Sequence, residues 1–106
     1  MARVEQLFVE DVYNLFNKKD PNTIFIDVRE PSEWEEGVIP GALKISLGDI
    51  PERYNELDKT KNYVMVCRSG GRSNRAAHFL LENGFENLSN FQGGMIDWYE
   101  NNYPVE

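Results

Sequence analysis

These 106 residues hold only one cysteine and one histidine. With Cys67 alone, the chain cannot form an internal disulfide, a Cys-x-x-Cys redox pair or a cysteine-rich zinc site. The thiol is therefore either inert packing or a reactive group. Positive charge is also scarce: 11 Lys and Arg stand against 18 Asp and Glu, for a net charge of −7. That balance argues against a nucleic-acid partner or an anionic membrane surface. Long apolar runs are missing too. Met1 to Phe8 interleaves Arg3 and Glu5 with short apolar steps, unlike a signal peptide or a membrane span, so the expected location is the cytoplasm. No repeat, linker or biased segment interrupts the chain, and residues 1–106 read as a single domain with one core.

The elements that are present alternate. Val12, Leu15 and Phe16 recur at helical spacing, predicting a helix over about 9–17 with no clear N-cap. Thr23-Ile24-Phe25-Ile26 reads as a buried strand ending at Asp27. Ser32 and Glu35 stand three apart, as a capping box requires, and predict a short helix over 32–36 that stops at Gly37. Ala42–Ile45 is a candidate strand, and Asp49, Pro51 and Glu52 signal a helix over about 51–57. Tyr63-Val64-Met65-Val66 is the strongest strand signal, apolar at every position as in a sheet covered on both faces. Ala76, Ala77, Leu80 and Leu81 form one helical stripe from about Ser73, with Gly84 fitting its C-terminal cap. Leu88–Phe91 makes a last strand before Gly93-Gly94 and a final turn carrying Trp98. Such alternation implies parallel pairing and right-handed crossovers, hence a three-layer α/β/α domain with a central, mainly parallel sheet.

Cys67 follows the strongest strand directly, where open sheets of this kind bind their ligands. In the segment Cys67-Arg68-Ser69-Gly70-Gly71-Arg72 the glycines let the backbone curl so that successive amides point inward, as in an anion-binding nest. The following helix adds the positive end of its dipole, and Arg68 and Arg72 add formal charge. A thiol in such surroundings is held toward the thiolate. The wider window agrees: no acid occurs from Lys59 to Leu81, while Lys59, Lys61, Arg68, Arg72 and Arg75 fall there.

This loop resembles the active-site loop of rhodanese-like sulfurtransferases. Asp27-Val28-Arg29-Glu30, Glu33 through Ala42, and Gly93-Gly94 with Trp98 resemble that family's other motifs, in the same order and over nearly the whole chain. The resemblance implies a rhodanese-like fold and covalent catalysis in two half-reactions. A donor such as thiosulfate or a persulfide passes its outer sulfur to the Cys67 thiolate, and an acceptor such as cyanide or a thiol removes it. It also implies that the amides of residues 68 to 72, thus of Arg68, Ser69, Gly70, Gly71 and Arg72, cradle the anionic persulfide, with both arginines as electrostatic supports. The Ser73 side chain is expected to cap its helix. For Asp27 and Arg29 two readings stand, a brace for the loop or an ordinary turn pair. One departure is visible, Val38 at a position often histidine in the family. His78 is expected to face solvent, and Trp34 and Trp98 to anchor the core.

Two rival functions differ in class. A phosphatase or arsenate reductase resembles a cysteine, five residues and an arginine, whereas four residues separate Cys67 from Arg72 and Val66 stands before the cysteine where those phosphatases usually carry histidine. A sulfur-relay or docking module would use the same loop toward a sulfur-acceptor protein without small-molecule turnover. No nucleotide, flavin or metal signature accompanies the loop, so no cofactor is expected.

Overall fold

The apolar run around Val64 becomes the middle of a five-stranded sheet, because a strand apolar on both faces needs cover on both. The computed structural model describes residues 2–106. Its strands are β1 (Arg3–Leu7), β2 (Thr23–Asp27), β3 (Leu43–Lys44), β4 (Asn62–Val66) and β5 (Asn87–Phe91). Its helices are α1 (Val9–Lys18), α2 (Pro31–Trp34), α3 (Ile50–Arg53), α4 (Gly71–Glu82) and α5 (Gly94–Glu100). The strand order is β1-β5-β4-β2-β3, and every pairing is parallel.

Side-chain alternation sorts the core into two layers. Phe25, Val64, Val66 and Phe91 face α1 and α5, where Val12, Met95 and Trp98 cover them. Ile26, Tyr63, Met65 and Leu88 face α3 and α4, where Ile50, Ala76, Ala77 and Leu80 pack. The α/β/α layering expected from the alternation is thus the observed one, with a sheet that is wholly rather than mainly parallel. Among the described residues no helix is long and apolar enough to cross a membrane.

Several boundaries differ from the sequence expectation. β1 has no apolar alternation to announce it: Arg3, Glu5 and Gln6 are exposed, and the strand exists because β5 offers it an edge, in register from Arg3↔Asn87 to Leu7↔Phe91. α2 starts earlier than Ser32, since Glu30 donates its N–H to the Glu33 carboxylate at 3.1 Å and Pro31 suits the first helical position. The capping pair is therefore Glu30 with Glu33, not Ser32 with Glu35. The helix expected over 51–57 divides into α3 and a 3-10 turn, Tyr54–Glu56, and the strand over 42–45 shortens to β3. α4 begins at Gly71, two residues before Ser73, and ends as expected at Gly84 (φ +93°), with the Phe85 N–H donating to Leu80 O at 3.1 Å.

Trp98 is the largest fully buried side chain. Its ring meets Tyr13, Phe16, Phe91 and Tyr103 edge-on, and its Nε1–H donates to Pro104 O at 2.7 Å. Trp98→Ala is expected to cost about 3–5 kcal/mol, read from urea unfolding midpoints at an unchanged m-value.

Candidate active site

From β2 the chain moves outward to β3, and from β4 it moves the opposite way to β5, so a crevice opens between the C-terminal ends of β2 and β4. Cys67 stands there, one residue past β4, with its side chain on the α4 side of the sheet. The turn that follows is held from outside. The Met95 N–H donates to Cys67 O at 2.9 Å and the Ile96 N–H to Arg68 O at 3.1 Å. These are orphan amides of the first turn of α5, which thereby fix the two peptide groups that carry the Arg68 and Ser69 amides. Two glycines make this approach feasible. Gly94 (φ +61°) lies so close to Arg68 O, and Gly70 (φ +94°) so close to Gln92 O, that a Cβ at either would overlap the carbonyl, and both occupy backbone conformations that favour glycine. Gly71 differs, because a Cβ there would meet nothing within 4 Å.

Amides of this turn face the sulfur. Cys67 Sγ is 1% exposed as a residue and accepts the Gly70 N–H at 3.1 Å. The Ser73 hydroxyl lies 3.2 Å from the same sulfur. Ser73 shares the buried stripe of α4 with Ala76, Ala77 and Leu80, which aims its Oγ inward. It is therefore no helix cap; Gly70 holds the N-cap position. Burial pushes the Cys67 thiol up, but hydrogen bonding from the Ser73 hydroxyl and from the amides of Ser73, Ser69 and Gly70 outweighs it, and the thiol lies below its ordinary value.

The arginines take different places. Arg72 pairs with Glu33 of α2 through both terminal nitrogens, at 2.6 and 2.8 Å, so its charge is largely spent on a carboxylate. Arg68 is exposed, and its side chain makes no hydrogen bond among the described residues. The basic window of the sequence is also divided in space. Lys59 lies over the Phe85 ring and Lys61 binds Asn22 before β4 begins, while Arg68, Arg72 and Arg75 follow its far end. Asp27 and Arg29 form a buried ion pair at 2.9 Å. Arg29 also donates to Gly37 O and Tyr99 Oη, and Asp27 accepts the Trp34 Nε1–H. Neither hydrogen-bonds to residues 67 to 73, so the pair braces α2 and the turn at Gly37 beside the crevice rather than the cysteine loop.

The model of the rhodanese-like domain matches residues 8–101. The chain belongs to the rhodanese-like domain family. YtwF of Bacillus subtilis, provisionally named a sulfurtransferase, is 49% identical over 79 residues, 74% of this chain and 76% of its own. A sulfurtransferase of Allochromatium vinosum is 36% identical over 84 residues, 79% of this chain and 78% of its own. The crystal structure of a rhodanese-related protein from Thermoplasma volcanium superposes with a TM-score of 0.86 at 30% identity, covering 96% of this chain and 97% of that one.

Within this rhodanese-like domain, sequence reasoning missed two residues that organise the loop. Glu33 was legible only as part of a motif, because the capping box was read at Ser32 and Glu35 and not at Glu30 and Glu33. Asn90, buried in β5, accepts the Ser73 hydroxyl at 2.5 Å, and an asparagine in a short strand carries no signal of its own. Val38, at the position often histidine in the family, is buried, and its backbone pairs with that of Glu106 in both directions. His78 is exposed, with Nδ1 2.9 Å from Asn74 O.

The Arg72 hydrogen bonds hold the Glu33 carboxyl down to about 2 from its ordinary 4.5. A lowered folded-state value stabilises the fold fully above pH 4.5, and this contribution is lost as the pH falls through about 2. Glu33→Gln is therefore expected to be less stable than the native protein at neutral pH, by under about 1 kcal/mol at this partly exposed site. The gap should close on acidification across that window, as read from denaturant midpoints.

Proposed function

We propose that this rhodanese-like domain is a sulfurtransferase that carries sulfane sulfur on Cys67. The observation that carries the reading is the buried sulfur held by the Gly70 amide and the Ser73 hydroxyl at the crevice between β2 and β4. In the first half-reaction the Cys67 thiolate attacks the outer sulfur of thiosulfate. A new S–S bond forms, the old one breaks, and sulfite leaves with its electron pair. A small persulfide donor would react in the same way and release a thiolate. In the second half-reaction cyanide or a thiol attacks the outer sulfur, and the electrons of the Cys67 S–S bond return to the cysteine.

Neither step needs a general acid, since the leaving groups depart as anions and the nucleophile is already ionised. The role given to the loop is electrostatic: inward amides favour the negative sulfur before and after loading. Arg68, exposed at the mouth, suits the attraction of an anionic donor. In this reading the domain works alone on small donors and acceptors, with no cofactor, and an unpaired thiol suits a reducing compartment such as the cytoplasm. A relay to an acceptor protein uses the same persulfide. Attack on phosphate esters is disfavoured, because the loop is short and Glu33 occupies both terminal nitrogens of Arg72.

Incubation with thiosulfate is expected to add the mass of one sulfur atom, removed again by cyanide or by a small thiol. Cys67→Ser should abolish both loading and turnover; retained turnover in that variant would overturn the covalent scheme. Arg68→Ala should weaken loading by thiosulfate more than loading by an uncharged donor, measured as the ratio of the two rates. Hydrolysis of an aryl phosphate is expected to stay at background, followed by release of the phenol; Cys67-dependent hydrolysis would favour the phosphatase reading instead.

A further inference from the structure

Behind the sulfur runs a chain of polar groups that the scheme above does not use. Asn90 is 2% exposed and stands directly beside Gln6 in the β1–β5 register. Its Nδ2 donates to Gly70 O at 3.2 Å and to Gln6 Oε1 at 2.9 Å. Gln6 in turn donates to Asn74 Oδ1 at 3.0 Å. Because a peptide carbonyl only accepts, Gly70 O fixes which end of the Asn90 amide faces it. The Asn90 Oδ1 must then face Ser73, and at 2.5 Å it is an acceptor for the Ser73 O–H in rivalry with Cys67 Sγ at 3.2 Å.

Ser73 has one proton and two claimants. When Cys67 is a thiol, every group is satisfied: the S–H donates to Ser73 Oγ, and the Ser73 O–H donates to Asn90. When the sulfur is an anion it needs the Ser73 proton, and that demand leaves two oxygens facing each other without a hydrogen between them. A buried acceptor deprived of its donor is costly.

We propose that Asn90 is a positioning residue that competes with Cys67 for the single proton of Ser73, holding the sulfur anion less stabilised, and so more nucleophilic, than the loop alone would make it. The inference rests on Cys67 being the reacting group. Thiolate nucleophilicity falls as thiolate stability rises, so a site that must both accept and surrender sulfur gains from such a counterweight. Other charged groups near the sulfur are Arg68 in the loop, Arg72 on α4 with Glu33 and Glu30 beside α2, and the Asp27–Arg29 pair ending β2. The substitutions below touch none of these.

The test is the thiolate absorbance of Cys67 against pH in four proteins: native, Asn90→Leu, Ser73→Ala and the double variant. Asn90→Leu releases the Ser73 proton to the sulfur, so the Cys67 pKa is expected to fall, by about half to one unit for one hydrogen bond. Ser73→Ala should raise it, and in the Ser73→Ala background Asn90→Leu should have no effect. The rate of alkylation by a small neutral reagent should fall in Asn90→Leu at pH values where the thiol is fully ionised. A merely structural role predicts the reverse sign, since a loosened loop loses amide donors and raises the pKa. An unchanged or raised pKa in Asn90→Leu, or a fall that persists without Ser73, overturns the proposal. If Asn90→Leu does not fold, Asn90→Val, whose side chain suits a strand interior, is titrated in its place. The titration reads the thiol itself, so its failure is distinct from a failure of thiosulfate to load the protein.

Discussion

Two hydrogen bonds, from the amides of Met95 and Ile96 to the carbonyls of Cys67 and Arg68, set the conditions for everything at the crevice. A peptide group that points its carbonyl one way points its amide the other. By anchoring those carbonyls in the first turn of α5, the fold sets the directions of the Arg68 and Ser69 amides, and that of Ser69 is among the groups that hold the sulfur. The same bonds explain why residues remote in sequence travel with the cysteine loop. Gly94 must lack a side chain for α5 to approach, and Trp98, one turn further on, pins that helix against α1 and β5.

How the sulfur is held follows from this. Of the amides, helix dipole and arginines expected around the thiol, the inward amides stand closest to it, joined by the Ser73 hydroxyl, while Arg72 feels the Cys67 charge from further off. Arg72 serves the architecture by tying α4 to α2 through Glu33, and Arg68 remains at the surface. Dipoles fixed about 3 Å from a buried atom escape the screening that salt imposes on exposed charges. The arrangement therefore depends on backbone geometry more than on the protein's net charge, which is negative.

The sequence was most legible where one interaction dominates. The β4 run and the α4 stripe follow from burial alone, and the loop between them from glycine conformation and a lone thiol. Legibility failed where a partner decides. β1 is a strand because β5 has a free edge, a fact that residues 3–7 do not contain. α2 starts at Pro31 through a capping contact between two glutamates, a pairing easily overlooked beside the more familiar serine. Asn90 and Ser73 acquire meaning only when β5 and α4 are stacked, because the bonds joining them span 17 residues of chain.

The β1–β5 pairing joins residues 3–7 to residues 87–91, so almost the whole chain forms one closed loop. Contacts of such long sequence separation are the slow ones in folding, because the entropy of closure is lost before any contact compensates it. The unit β4–α4–β5 closes over a short stretch of chain, whereas the first strand is held to the sheet only by its edge pairing with β5. Gln6 reaches Asn90 only through that pairing. The polar backing of the cysteine turn thus hangs on the longest-range contact in the sheet, and a change that weakens the docking of the N-terminal strand reaches the far side of the sulfur through Gln6 and Asn90.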